Sequence, residues 1–202
     1  ISNMGGCIGI KEDKELLKKV QLMTIPNEGF ITYGGLSGRD IAAMAVGFYE
    51  GIDEEYLSYR VGQVQFLGSL LKEMGIPLQY PVGGHAIFFD SAKILPHIPL
   101  TQYPSQALVA ALYVEGGVRG SDIGTMAKGR NPDTHEEIFA PVEFTRLCLA
   151  RRVNTQSQLE HVARTVKYVA DHAEEYPGYR IIEESPILRH FTVRLEPVFP
   201  LK

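Results

Sequence analysis

The arginine in the segment EFTRLCLA sits where a side chain could do chemistry. Residues 143–150 read as a strand, and alternation puts Arg146 on the same face as Phe144 and Cys148. A guanidinium on an apolar strand must meet an anion. It can hold a substrate's α-carboxylate through two parallel hydrogen bonds, or it can close an internal salt bridge to one of the 24 acidic residues. His85 follows Gly83 and Gly84 at the start of another strand-like run, where it either lines a cleft or caps the strand with a satisfied ring nitrogen. His190 and Phe191 are neighbours in the last extended run and therefore face opposite sides; with Arg189 before them, a surface edge strand would explain all three. Tyr33 lies beside Gly34 and Gly35, in a loop where backbone can approach a ligand closely. Its hydroxyl can donate to that ligand, or its ring can pack on a neighbouring helix.

Other chemistries find no motif. The run GVRGSDIG at 117–124 is neither a GxGxxG nor a Walker loop, and no nucleophile elbow GxSxG occurs. Cys7 and Cys148 have neither zinc-ligand nor CxxC spacing, which suits a reducing compartment. A net charge of −4 with scattered Lys and Arg leaves no footprint for nucleic acid or an anionic membrane surface. No window is long and apolar enough to span a bilayer, and the opening ISNMGGCIGI lacks the basic start and cleavage pattern of a signal peptide. A cytoplasmic protein acting on small molecules is expected. The first residue is Ile1, so a preceding segment is expected too.

These residues need elements to position them. Met4 to Ile10 reads as a buried strand of a parallel sheet, and Glu12 to Met23 as an amphipathic helix with Leu16, Leu17, Val20 and Met23 inward, stopped by Pro26. A glycine-shaped loop follows from Asn27 to Arg39. Helices are expected from Asp40 to Tyr49 and from Asp53, a plausible N-cap, to about Met74, with Gly75 as the stop. The second of these is long enough to connect two domains. Later come a strand in GGHAIFFD, a helix from Pro104 to Gly116, the strand of Arg146, and a helix opened by a Thr155/Gln158 capping box and ended by Pro177. YRIIEE and HFTVRLE read as the last two strands. The pattern is α/β up to about Gly51 and α+β beyond it, with a boundary near Ile52: residues 1–52 end a larger domain and 53–202 form a second one.

Longer blocks carry a resemblance. GFITYGGLSGRD, GGHAIFFDSAKILPHIP, PSQALVAALYVEGGVRGSDIG, RLCLARR and ILRHFTVRLEPV, in this order, are similar to the C-terminal part of the β-eliminating lyases, which cleave tryptophan or tyrosine. The resemblance runs the whole length of the chain. It implies the aspartate-aminotransferase type of pyridoxal-phosphate fold, with residues 1–52 ending the large cofactor domain and 53–202 forming the small one. It also implies pyridoxal 5'-phosphate, a potassium ion and a homotetramer.

By the same resemblance, Arg146 matches the arginine that holds the substrate carboxylate, and Phe30 and Tyr33 match active-site positions on the large-domain loop. His85 matches an active-site histidine of the small domain, His190 and Phe191 the pair that closes over the leaving group, and Asn3 a potassium ligand through its backbone carbonyl. Ile123 stands where the tyrosine-cleaving members carry an arginine for the phenolic oxygen; an apolar residue suits indole, and RHF at 189–191 points the same way. The implied reaction is β-elimination of L-tryptophan to indole, pyruvate and ammonia, with the tyrosine-cleaving activity as the alternative. The family's Schiff-base lysine belongs to a Ser-x-Lys-Lys-Asp segment that the resemblance places upstream of Ile1, and none of the nine lysines here has that setting. The chain alone is therefore expected to be inactive. A non-catalytic module that docks on an upstream partner chain is the remaining reading.

Overall fold

The computed structural model describes residues 4–186 and 188–199. They divide into two units, residues 1–59 and 60–202, and the division falls inside the long connecting helix rather than at Ile52. Each unit is described by itself.

In the first unit, α1 spans Lys14–Asn27 and α2 spans Gly38–Gly51, and α3, Glu54–Glu73, begins there. Their starts are set locally. Asp13 accepts the N–H of Leu16 at 2.8 Å, Ser37 accepts that of Asp40 at 3.3 Å, and Asp53 accepts that of Tyr56 at 2.8 Å. Pro26 does not stop α1 but lies in its last turn, where its ring fits the helical φ and only one backbone hydrogen bond is forgone. The stripe expected to be inward is not: no residue of α1 is buried, and Leu16, Leu17 and Met23 are exposed. Residues 5–11 form no strand and are largely exposed, because no described strand pairs with them. The expected parallel sheet is thus absent among the described residues.

The second unit holds the core. Strands β1 (Ala86–Asp90), β2 (Ser121–Ile123) and β3 (Phe144–Cys148) form an antiparallel sheet in the order β1-β3-β2. Helices α5 (Pro104–Gly116) and α7 (Gln156–Asp171) pack with it, and the short helices α4 (Ser91–Ile94) and α6 (Thr125–Lys128) follow β1 and β2. Val64, Leu67 and Leu71 of α3, Ile87 and Phe89 of β1, Leu108 and Leu112 of α5, Leu147 of β3 and Val166 and Val169 of α7 make one buried cluster. Helix α5 opens with Pro104 at its first turn and ends on Gly117, whose φ of 64° a side chain would resist. Helix α7 has the expected capping box but ends at Asp171, before Pro177, and passes into a 3₁₀ turn at Ala173–Glu175. Strands β4 (Gly178–Glu183) and β5 (Arg194–Val198) pair separately as an antiparallel ribbon. Among the described residues no helix is long and apolar enough to cross a membrane.

Candidate active site

Register assembles the site on one face of the three-stranded sheet. Arg146 lies at the middle of β3, the central strand, opposite Phe88 of β1 and Ser121 of β2; Ile123 lies opposite Phe144. Side chains alternate across a sheet, so Phe88, Phe144, Arg146, Ser121, Ile123 and Cys148 share one side, while Ile87, Phe89, Thr145 and Leu147 enter the core. The face is lined by rings: His85 meets Phe88 edge-on at 6.5 Å between centroids, and Phe88 meets Phe144 edge-on at 6.0 Å.

Arg146 is half-buried beside these rings, and its Nε is buried with no hydrogen-bond partner among the described residues. The internal salt bridge left open by the sequence is not formed among them. A buried guanidinium N–H without an acceptor is costly, on the order of 1–3 kcal/mol, and an anion within its reach would remove that cost.

His190 and Phe191 are not in a strand. Leu188 has a φ of 53°, and the left-handed turn there carries Arg189–Phe191 into a 3₁₀ turn. The two rings consequently do not point to opposite sides; their centroids are 3.9 Å apart. Arg189 is 4% exposed, not a surface residue. It donates to Met126 O at 3.0 Å, to Thr125 O at 3.1 Å, to Glu184 at 3.0 Å and to both oxygens of Glu137. Arg130 adds an ion pair to Glu184 at 2.5 Å, and Tyr103 donates to Glu137 at 3.3 Å. Burial alone would raise the Glu184 carboxyl, but hydrogen bonds from Arg130 and Arg189 hold it below its ordinary range. Burial and the adjacent Glu137 push the Tyr103 hydroxyl up to about 12. The network fixes the backbone from which His190 and Phe191 project; Phe191 itself is 75% exposed.

In the first unit, Phe30 and Tyr33 lie in the expected loop with their rings 6.0 Å apart, both exposed. The glycines shape it: Gly35 has a φ of 71°, and a Cβ there would come 2.3 Å from Glu28 O. Asn3 lies outside the described residues.

Two positioning residues escaped the sequence reading. Arg60, 8% exposed, donates from Nη2 to His85 O at 3.2 Å and Leu149 O at 2.6 Å, tying together the ends of β1 and β3. Its signal is a charge in register with Val64, Leu67 and Leu71 on the buried stripe of α3. Arg189 gives no such signal, since it sits in a short 3₁₀ turn with no apolar stripe for its charge to interrupt. An open cavity of about 280 Å³, lined among others by Arg119, Cys148 and His161, includes none of the expected site residues.

The sequence of this chain has clear relatives. A family profile described as beta-eliminating lyase matches residues 1–165. The chain is 46% identical over 198 residues to a tryptophanase of Salinibacter ruber, covering 98% of this chain and 42% of that protein. It is 44% identical over 196 residues to a tyrosine phenol-lyase of Symbiobacterium sp., covering 97% of this chain and 43% of that protein. A tryptophanase of Hyphomonas neptunium is 44% identical over 195 residues, with 96% and 42% covered. The chain thus spans about two fifths of the length of these relatives. Relatives of both activities match about equally well, and pyridoxal phosphate is the cofactor that the family implies. The helices, the antiparallel sheet bearing Arg146 and the similarity along nearly the whole chain converge: this chain belongs to the β-eliminating lyase family.

Proposed function

We propose that this chain supplies the substrate-carboxylate site of a carbon–carbon lyase that converts L-tryptophan to indole, pyruvate and ammonia by β-elimination. The observation that carries the reading is the buried, unpartnered Nε of Arg146 on the open face of the central strand. That atom fits an amino-acid carboxylate, the part of a cofactor-bound substrate that an arginine recognises best. Bound pyridoxal phosphate supplies the electron sink for the elimination. Arg146 grips the carboxylate with its planar fork, which fixes rotation about the bond to the α-carbon and so the direction of the α-hydrogen. The rings of His85, Phe88 and Phe144 keep water from that ion pair.

Ile123 presents an apolar side chain, suited to indole and offering nothing to a phenolic hydroxyl. By the resemblance, His190 and Phe191 close over the leaving group, Phe30 and Tyr33 correspond to active-site positions of the family, and the carbonyl of Asn3 ligates potassium. The Schiff-base lysine belongs to a part of the polypeptide outside these 202 residues, and the whole assembles as a homotetramer in the cytoplasm. These assignments rest on the resemblance. Tyrosine cleavage is the second reading, favoured by the identity to relatives named tyrosine phenol-lyase.

The test uses the chain joined to the region its relatives carry beyond the matched span and supplied with pyridoxal phosphate. Arg146→Ala should lower kcat/KM for tryptophan about 30- to 4,000-fold, the effect of truncating one partner of a desolvated charge pair worth roughly 2–5 kcal/mol. Arg146→Lys should rescue poorly, because a point charge cannot reproduce the fork. Unchanged affinity for the non-reactive amino acid L-alanine, with a lowered Tm, would make Arg146 structural and overturn the reading. Faster release of phenol from tyrosine than of indole from tryptophan would overturn the substrate and leave the family.

A further inference from the structure

Two acids lie on the side of the sheet away from Arg146, both against the Gly124–Thr125 segment. Asp122 of β2 pairs in register with Thr145, so it points away from the face that carries Ile123. Glu143, just before β3, is 1% exposed. One oxygen of each acid is well served. Asp122 Oδ1 accepts the N–H groups of Gly124 and Ala127, both at 3.1 Å, and Glu143 Oε1 accepts the N–H of Thr125 at 2.8 Å together with its hydroxyl. The other oxygens, Asp122 Oδ2 and Glu143 Oε2, are buried without a hydrogen-bond partner among the described residues.

Both carboxylates converge on one residue. Gly124 gives its N–H to Asp122, and a Cβ on it would lie 2.2 Å from Glu143 Oε2. No lysine or arginine pairs with either acid among the described residues. Ser105 of α5, whose hydroxyl donates to Phe144 O and lies 3.1 Å from Thr145 Oγ1, works against burial at both acids, its side chain lowering Asp122 and its backbone N–H lowering Glu143, and His190 of the 3₁₀ turn lowers Asp122 further.

Two carboxylates, each with a buried oxygen that lacks a hydrogen-bond partner and neither paired with a lysine or arginine among the described residues, make an arrangement that a single proton relieves twice over. It cancels one charge, and as an O–H donor it gives an orphan oxygen a partner. We propose that Asp122 and Glu143 hold one proton between them at neutral pH, so that the pair carries one negative charge. Glu143 is then a positioning residue: as a neutral carboxyl it keeps the entry to β3 buried, three residues from Arg146, and leaves the charge to Asp122. Burial raises both carboxyls above their ordinary range, and the charge of Asp122 raises Glu143 further. The shared proton requires no particular substrate.

Infrared spectroscopy of the full-chain protein, with aspartate or glutamate isotope-labelled at the carboxyl, tests this directly. A protonated-carboxyl band from this pair should persist at pH 7, and Glu143→Gln should abolish it. Glu143→Gln, which keeps a neutral donor, should hold Tm near wild type at neutral pH, while Glu143→Ala lowers it. The sign with pH follows from linkage. Acids raised in the folded state bind their proton more tightly there, so their contribution to stability falls as pH climbs from the ordinary carboxylate range through the raised value; Glu143→Gln should flatten that fall. Absence of the labelled band at pH 7 in the wild-type protein would overturn the proposal, whether the pair proves doubly ionised or neutralised by a bound cation. That readout needs no variant to fold.

Discussion

The two units use the same helical signals and end in opposite states. In residues 1–59 the caps of α1, α2 and α3 are satisfied, yet Tyr56 is the one hydrophobic residue buried there among those described, while Leu22, Met23, Ile25, Phe48 and Tyr49 are more than half exposed. In residues 60–202 equally local signals, Pro104 in the first turn of α5 and the Thr155/Gln158 capping box of α7, open helices whose apolar faces meet in a continuous core. Capping and propensity decide where a helix begins; burial decides whether it is held, because an isolated helix of this length is marginal in water. The described part of residues 1–59 thus carries helix-forming sequence whose apolar side chains find little to pack on within that unit.

The largest expected difference is in hydrogen exchange. In the 202-residue chain, amides of α5, β3 and α7 should exchange only through opening of the core and show protection at least about 10³-fold above that of α1 and α2. Equal protection in α1 and α5 would break the contrast and require a covering surface for α1. Mutagenesis reads the same difference at single side chains. Phe89, 0% exposed in β1, should cost about 3–5 kcal/mol on truncation to alanine, whereas Phe48, 52% exposed in α2, should change unfolding by no more than about 0.5 kcal/mol. Denaturant midpoints of the two variants measure this.

The contrast also explains what could be read in advance. Helices α3, α5 and α7 were legible because caps, prolines and apolar spacing lie close together in sequence. Met4 to Ile10 was misread because an apolar run becomes a strand only beside another strand, and no described one adjoins it. Strand β2 was missed for the converse reason: three residues around Asp122 acquire extended structure by pairing with β3, which no local signal announces. At the site, alternation alone put Arg146 on one face with Phe144, and the register of β1 and β2 then brought Phe88 and Ile123 beside them. The turn of His190 and Phe191 was hidden because it depends on a left-handed Leu188 and on Arg189 reaching Thr125, Met126 and Glu137.

The smallest expected effect is the sharpest comparison, because it pits one device against itself. Asp13 caps α1 through Leu16 N–H at 2.8 Å, and Thr155 caps α7 through Gln158 N–H at 3.4 Å, with the Gln158 side chain returning to Thr155 N–H at 2.9 Å. As isolated hydrogen bonds, the cap of α1 is the shorter. Yet Thr155→Ala should cost about 1 kcal/mol of global stability, since α7 buries Leu159, Ala163, Val166 and Val169 and cannot fray without opening the core. Asp13→Ala frees the first turn of a helix with no buried residue, so it should leave the main unfolding transition where it is and lower only the helical content that melts before it. Far-ultraviolet circular dichroism followed through a denaturant titration reports both changes. A shift of the main transition by Asp13→Ala as large as that of Thr155→Ala would mean that α1 belongs to the same cooperative core, and the division between the two units would not extend to their stability.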